Sequence, residues 1–257
     1  MGIGLATARR LVDLGAGVTL VARGPERLAA AVDELSRRRP QASVRALAVD
    51  VSDQAAVAEA VPRELSEQAV DVLVNGAGIA RPVEFVKADP QDLREHMDVN
   101  YFGAVWMSRN VLPHFLERGS GHLVNIGSTA SLIGIYGYAG YAPPKFALYG
   151  LSEVLRAEVG PRGIGVTIVM PSNTRTAMLE AELETAPPVT RKILESQRTL
   201  SPEKVADALL RAVAKGRFEV IPGLDIRLST RAYRLFPRVG RAVLDLEARR
   251  AGSARRG

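Results

Sequence analysis

Tyr141 and Lys145 stand four residues apart, so on a helix their side chains share one face, one turn from each other. A phenol with a pKa of about 10 exchanges protons poorly at neutral pH, and a cation held beside it favours the phenolate and lowers that value. Such a pair can trade a proton with a substrate oxygen. Ser128 lies 13 residues earlier, just past the apolar run His122–Ile126, where its hydroxyl can orient a carbonyl beside the phenol. Asn100 supports them from a helical stretch upstream. Each also has a plainer reading: an ordinary helix-face pair, a turn serine, a tolerated polar residue inside a helix. Short motifs recur by chance, so it is their order and company that count.

The elements that position these residues alternate. Helical periodicity runs from about Gly4 to Leu14 and is followed by a β-rich run, Val18–Ala22. A helix over Pro25–Arg39 leads to the strand Val44–Val49, and one over Asp53–Gln68 leads to Asp71–Asn75. Asp89-Pro90 starts a helix expected to run through about Leu112, ahead of the buried strand His122–Ile126. A helix over Tyr141–Glu158 precedes Gly165–Met170, and Ser201-Pro202-Glu203 starts another before Phe218–Ile221. Strands nearly continuous in Val, Ile and Leu, alternating with helices, predict an α/β fold with a doubly wound parallel sheet covered on both faces. Ligands of such sheets bind outside the carboxyl ends of the strands, which is where Ser128 falls. The layout opens on a helix, so the expected sheet lacks its first, central strand, and Gly2-Ile3-Gly4 reads as the tail of a Gly-rich phosphate loop.

Composition narrows the chemistry further. The 257 residues suit one α/β domain, and no apolar run approaches the ~20 residues of a spanning helix. With no cysteine there is no disulfide, thiolate nucleophile or cysteine-ligated metal, and His96, His114 and His122 lack metal-ligand spacing; no metal is expected. The nine arginines between Gly223 and Gly257, set against Asp225, Asp245 and Glu247, account for the whole net charge of +6. Charge confined to one appendage, with aromatics at 5%, argues against nucleic acid as a partner. The chain therefore divides into a catalytic domain over 1–222 and a basic amphipathic extension over 223–257. No targeting signal is visible, and the expected location is the cytoplasm.

Through most of its length the chain resembles the short-chain dehydrogenase/reductase family, a Rossmann-like fold. The YxxxK motif of that family stands here as Tyr141-Ala142-Pro143-Pro144-Lys145, and its upstream serine matches Ser128 in NIGS. Its NNAG motif reads Asn75-Gly76-Ala77-Gly78, its helix asparagine matches Asn100 in DVNYFG, and its adenine-contacting Asp matches Asp50-Val51. The segment usually written PGxxxT appears as Pro171-Ser172-Asn173-Thr174-Arg175-Thr176. Six motifs in order at compatible spacing are specific where YxxxK alone is not. The resemblance implies hydride transfer between nicotinamide and a carbonyl or alcohol carbon. Tyr141 would donate the proton, Lys145 would lower its pKa and hold the nicotinamide ribose, Ser128 would bind the carbonyl oxygen, and Asn100 would help hold a relay water. It also implies a cofactor site of Gly2, Ile3, Gly4, Asp50, Val51, Asn75, Gly76, Ala77, Tyr141, Lys145, Pro171, Thr174 and Thr176, and a homo-oligomer.

Arg23 closes the family's second strand, where an acid would bind the ribose 2′-hydroxyl and a base attracts a 2′-phosphate; NADP(H) is expected over NAD(H). The TGxxxGIG loop survives only as Gly2-Ile3-Gly4, so the expectation is that a strand and the start of the loop precede these residues in a fuller chain. Without them the backbone N–H groups that hold a pyrophosphate are fewer and binding should weaken. That shortfall makes a silent nucleotide-binding or scaffold protein the competing reading, which the intact Asn100, Ser128, Tyr141 and Lys145 set oppose. Pro143-Pro144 is tolerable only in a first helical turn. In the family's substrate lid, residues 174–199, Met178, Leu179, Leu183, Pro187, Pro188 and Ile193 suggest an apolar pocket and a bulky or lipid-like ketone. Within the family, the run from Tyr141 to Met178 and the basic extension look most like the 3-ketodihydrosphingosine reductase branch. In that extension Arg227, Arg231, Arg234, Arg238 and Arg241 draw a cationic stripe beside Leu228, Leu235, Phe236, Val239, Val243 and Leu246, with Pro237 and Gly240 expected to break or kink the helix. Two readings follow: peripheral contact with anionic lipid, or a helix packed on the body or another subunit.

Overall fold

Alternation of strand and helix carries through the whole computed structural model, which describes residues 2–253; 254–257, the end of the basic extension, lie outside the described residues. Helix α1 (Ile3–Asp13) precedes β1 (Val18–Ala22), and α2 (Pro25–Arg38) leads to β2 (Val44–Ala48). Then α3 (Gln54–Glu67) leads to β3 (Val72–Asn75), and α4 (Pro90–Met97) and α5 (Gly103–Arg118) to β4 (Gly121–Ile126). After α6 (Ala142–Val159) and β5 (Ile164–Val169) come α7 (Ala177–Thr185), α8 (Pro188–Ser196), α9 (Pro202–Ala214) and β6 (Glu219–Val220). Two helices, α10 (Leu224–Leu235) and α11 (Pro237–Ser253), finish the described chain.

All strand pairs are parallel, and the register sets Asn75 opposite Asn125 and Ile126 opposite Val169. Successive residues of β4 point to opposite faces. Leu123 packs with Val57, Val111 and Phe115 of α3 and α5, whereas Val124 packs with Val205 and Leu209 of α9. Both faces are thus covered, which is why the strands carry continuous apolar runs. Each such buried Leu or Val stabilises the fold by roughly 1.5–3 kcal/mol.

The sheet is in two parts, β2-β1 and β3-β4-β5-β6. The free edges of β1 and β3 line one cavity of about 750 Å³, roofed by residues of α1, α2 and α5. This is where the layout expected a central strand, and one more parallel strand would satisfy both edges.

The single helix expected from Asp89 to Leu112 is instead α4 and α5 joined by a five-residue π-turn, Asp98–Phe102, where Gly103 N–H bonds to the Asp98 carbonyl. Apolar periodicity is blind to a one-residue widening of this kind. Helix α5 also runs through Pro113 to Arg118, where Gly119 at φ 66° ends it in the left-handed conformation.

Candidate active site

Two turns of chain bring Ser128, Tyr141 and Lys145 together. Ser128 follows β4 in extended conformation and caps the short turn Thr129–Ser131: its Oγ accepts from Ala130 N–H at 3.1 Å, and Ser131 Oγ accepts from Ser128 N–H at 3.2 Å. Tyr141 is the N-cap of α6, so Pro143 and Pro144 both fall in the first turn, where a missing N–H costs nothing. Lys145, 4% exposed, follows one turn on, donating from Nζ to the Ile126 carbonyl at 3.0 Å and lying 5.6 Å from the centre of the Tyr141 ring. The Tyr141 hydroxyl is hydrogen-bonded to the Ser128 side chain.

The electrostatics depart from the expected ones. Burial pushes the Tyr141 phenol well above its usual range, the Glu182 carboxyl pushes it further, and the Ser128 hydrogen bond opposes them. Burial also pulls Lys145 down from 10.5 to about 8. The phenol is therefore a held proton and not the ready phenolate that the Tyr-Lys spacing suggested, because burial disfavours the charged form of both groups.

Asn100 sits in the π-turn, 1% exposed, with Oδ1 accepting from Ile79 N–H at 2.8 Å and Nδ2 donating to the Ile79 carbonyl at 2.9 Å. Its side chain clamps the loop after β3, so any bond to a relay water has to come from the backbone of that turn. Gly78 lets the loop pass: a Cβ there would lie 3.0 Å from Asn100 Oδ1 and 3.8 Å from Lys145 Nζ. Beneath it, Asn75 Nδ2 donates to Ser108 Oγ at 3.0 Å and Asn125 Oδ1 at 2.9 Å, and Asn125 Nδ2 donates to Ser152 Oγ at 2.9 Å. This relay ties α5, β3, β4 and α6 under the site. Ser108 and Ser152 stand outside the motifs that led to the other site residues, and Asn125 opens NIGS, where only Ser128 was read as part of the site.

The residues assigned to a dinucleotide divide. Gly4, Arg23, Asp50, Val51, Asn75, Gly76 and Ala77 line the same cavity, with Asn100. Gly2 instead lies against Thr176, at 3.3 Å from where its Cβ would stand, and Ile3 puts its side chain into the core with Val124, leaving only its backbone to face a ligand. Pro171 is buried and accepts from Thr129 N–H at 3.0 Å; the Thr174 hydroxyl bonds to the Ser172 carbonyl, and Thr176 caps α7. The cavity fits the expected cofactor on three counts. No side chain caps α1 at Gly2, which leaves the N–H groups of its first turn for an anion. Gly4 faces open space. Arg23, 59% exposed and 3.6 Å from Asp50, is near enough to be shared between that acid and a phosphate.

The apolar pocket is not where the lid residues put it. Leu179 and Leu183 pack inward with Tyr138, Tyr141 and Leu194, because α7 turns its apolar side to the body. A groove of about 650 Å³ opens beside them, lined by Phe85, Val86, Ile135, Tyr136 and Phe146 and reaching Tyr138 and Ala142. The basic extension differs in part. It breaks at Phe236, ahead of Pro237, as expected, while Gly240 stays inside α11, where its missing Cβ lets the helix pass close to Tyr233. Arg234 leaves the stripe for Glu219, at 2.8 Å, and Tyr149. Leu228, Leu235, Phe236, Val239, Val243 and Leu246 are all exposed. No helix among the described residues is long and apolar enough to cross a membrane.

The sequence model described as short chain dehydrogenase matches residues 1–187. The chain is 35% identical over 228 residues to a 3-ketodihydrosphingosine reductase of Bos taurus, covering 87% of this chain and 69% of that protein. It is 33% identical to a fatty acyl-CoA reductase of Acinetobacter baylyi over 95% of this chain and 80% of that one. A short-chain dehydrogenase of Sphingobium yanoikuyae, solved in complex with NADPH, superposes with a TM-score of 0.78 at 28% identity, covering 94% of this chain and 89% of that one.

Proposed function

Since the chain belongs to the short-chain dehydrogenase family, we propose that it is an NADP(H)-dependent reductase of a long-chain, lipid-like ketone. The observation that carries this reading is the convergence of Ser128, Tyr141 and Lys145 at the carboxyl end of β4, one side-chain layer from an open apolar groove. NADPH, when bound, supplies the hydride. The residues do the rest. Ser128 Oγ donates to the substrate carbonyl and fixes it beside the phenol. Tyr141 gives its proton to the developing alkoxide, and Lys145, as ammonium, steadies the phenolate left behind. Asn100 holds the turn through which that proton is replaced. Arg23 selects the 2′-phosphate, and Asp50, Val51 and Asn75–Ala77 wall the adenine and ribose side. Two of the relatives named above act, by their names, on long-chain substrates, and the groove offers such a chain Phe85, Val86 and Phe146.

The test is NADPH oxidation by this chain with a series of ketones, short-chain to long-chain, beside fluorescence titrations of NADPH and NADH. Preference for NADPH and for the long-chain ketones is expected. Arg23→Glu places a carboxylate beside Asp50 and should reverse the coenzyme order, weakening NADPH by about 10-fold or more, an energy of about 1.4 kcal/mol. Equal titrations of NADPH in both proteins would remove Arg23 from the site.

The Lys145 ammonium gives the reaction a pH dependence. Burial depresses its pKa to about 8, so the cation is present below that value and lost as pH rises through it. The rate of reduction should therefore fall with one proton's slope above about pH 8. A profile of kcat/KM against pH that stays flat well beyond that point would take Lys145 out of the step.

We also read α10 and α11 as a peripheral contact for anionic lipid, with the catalytic body in the cytoplasm. Their apolar residues stay exposed while Arg227, Arg231, Arg238 and Arg241 stand among them. Co-sedimentation with phosphatidylserine vesicles should be strong at low salt and disappear when residues 224–257 are removed. Equal sedimentation of both proteins would leave that apolar face to a second copy of the chain.

A further inference from the structure

A buried carboxyl from the lid lies against the tyrosines of the site. Glu182, on α7, is 8% exposed and accepts a hydrogen bond from the Tyr138 hydroxyl, itself 4% exposed. The Tyr138 and Tyr141 rings meet edge-on, 5.4 Å between centres. We propose that Glu182 is a positioning residue that latches α7 onto the Tyr138–Tyr141 pair, so that one buried carboxyl both seats the lid and sets the surroundings of the Tyr141 phenol. The inference rests on the reading of Tyr141 as the proton donor.

Three features support it. Leu179 and Leu183, on the same helix, pack with Tyr138, Ala142 and Leu194, so α7 is docked on the donor's own cluster. A second tie lies beside the first: Thr190 of α8 donates from Oγ1 to the Tyr136 carbonyl at 2.9 Å, and Gly137, at φ 80°, leaves room for that hydroxyl. Lastly, a carboxyl buried with a single neutral partner is costly, and an alkyl side chain would fill the same space more cheaply.

The charges around it are few. Tyr138 and Tyr141 face Glu182 from the segment leading into α6; from α8, Arg191 reaches the Glu184 carbonyl, and no Arg or Lys forms an ion pair with Glu182 among the described residues. Tyr141 faces Ser128 and Lys145 on its other sides. Burial raises Glu182 to about 7, against the pull of the Tyr138 hydrogen bond. The carboxylate that forms as pH rises through that value makes the Tyr141 phenol harder to ionise and keeps its proton available for transfer. Below it, the neutral acid still bonds Tyr138 but no longer acts on Tyr141.

Two variants of the full chain separate charge from latch. Glu182→Gln keeps an acceptor for Tyr138 and removes the charge. Subtracting the tyrosinate absorbance titration of Tyr141→Phe isolates Tyr141, and in Glu182→Gln that phenol should ionise about tenfold more readily, one pH unit lower. Tyr138→Phe keeps the ring and removes the tie: amide exchange over residues 177–185 should quicken by about fivefold, about 1 kcal/mol of local opening, and KM for the ketone should rise more than kcat falls. An unmoved Tyr141 titration in Glu182→Gln, or unchanged exchange in Tyr138→Phe, overturns the proposal. Titration and exchange need no turnover, so they decide it even where the ketone series shows none and the proposed function fails.

Discussion

Tyr141→Phe is expected to cut kcat for ketone reduction by about 10²–10⁴-fold, the range over which positioned proton donors act, while the NADPH titration stays where it was. The substitution deletes one oxygen, and the ring keeps its place at the N-cap of α6 against Tyr138. The surroundings explain why so much rests on one atom. Burial and the nearby Glu182 hold the phenol protonated well past its ordinary range, which suits donation to an alkoxide and disfavours the reverse direction at neutral pH. Ser128 can polarise the carbonyl, and the bond its Oγ accepts from Ala130 N–H fixes its orientation, but an aliphatic hydroxyl is a far weaker acid than a phenol. Lys145 carries a proton too, yet its Nζ is bound to the Ile126 carbonyl and 5.6 Å from the ring centre, behind the phenol. A variant retaining a tenth or more of the activity would shift the donor to another group and undo the proposed mechanism.

What the sequence made legible was whatever repeats locally. Apolar runs and periodicity located the six strands of the described residues and most helices between them, though not α7 and α8 or the end of α5, and motif spacing brought Ser128, Tyr141 and Lys145 to one place. Effects summed over three dimensions were not legible. The spacing of Tyr141 and Lys145 suggested an acidic phenol, because the pattern counts a neighbouring cation and not the burial of both groups. The π-turn at Asn100 adds no residue type that periodicity can register. Lid residues such as Leu183 read as pocket lining, since an apolar side chain carries no mark of whether it faces a ligand or the core. Glu182 and Tyr138 are 44 residues apart in no shared motif, and only the fold makes them partners. Arg234 looked like one more cation in a stripe until Glu219 stood opposite it.

Asn125→Leu should be the most destabilising of the single changes considered, although Asn125 lies outside the reactive set. It is fully buried; it accepts from Asn75 and donates to Ser152, whose Oγ in turn donates to the Leu148 carbonyl at 2.7 Å. Leucine has similar volume and no polar atom, so it leaves the Asn75 amide with one of its two acceptors and the Ser152 oxygen without its donor. Each buried group stripped of a partner costs about 1–3 kcal/mol, and together they predict a loss of about 2–4 kcal/mol, or roughly 5–15 °C in Tm for a chain of this size. Ser108→Ala is the control: it removes the other acceptor of Asn75 Nδ2 while the Asn125 bond survives, and should cost no more than about 1 kcal/mol. Thermal unfolding of the two variants compares them directly, and equal Tm values would mean that the relay carries no load of its own. The relay also bears on activity. Asn75 opens the loop that Asn100 clamps at Ile79, and Ser152 lies on the helix that carries Lys145. In Asn125→Leu protein that remains folded, KM for NADPH should therefore rise before kcat falls. The loop after β3 loses its anchor directly, whereas α6 keeps Lys145 tied to the Ile126 carbonyl.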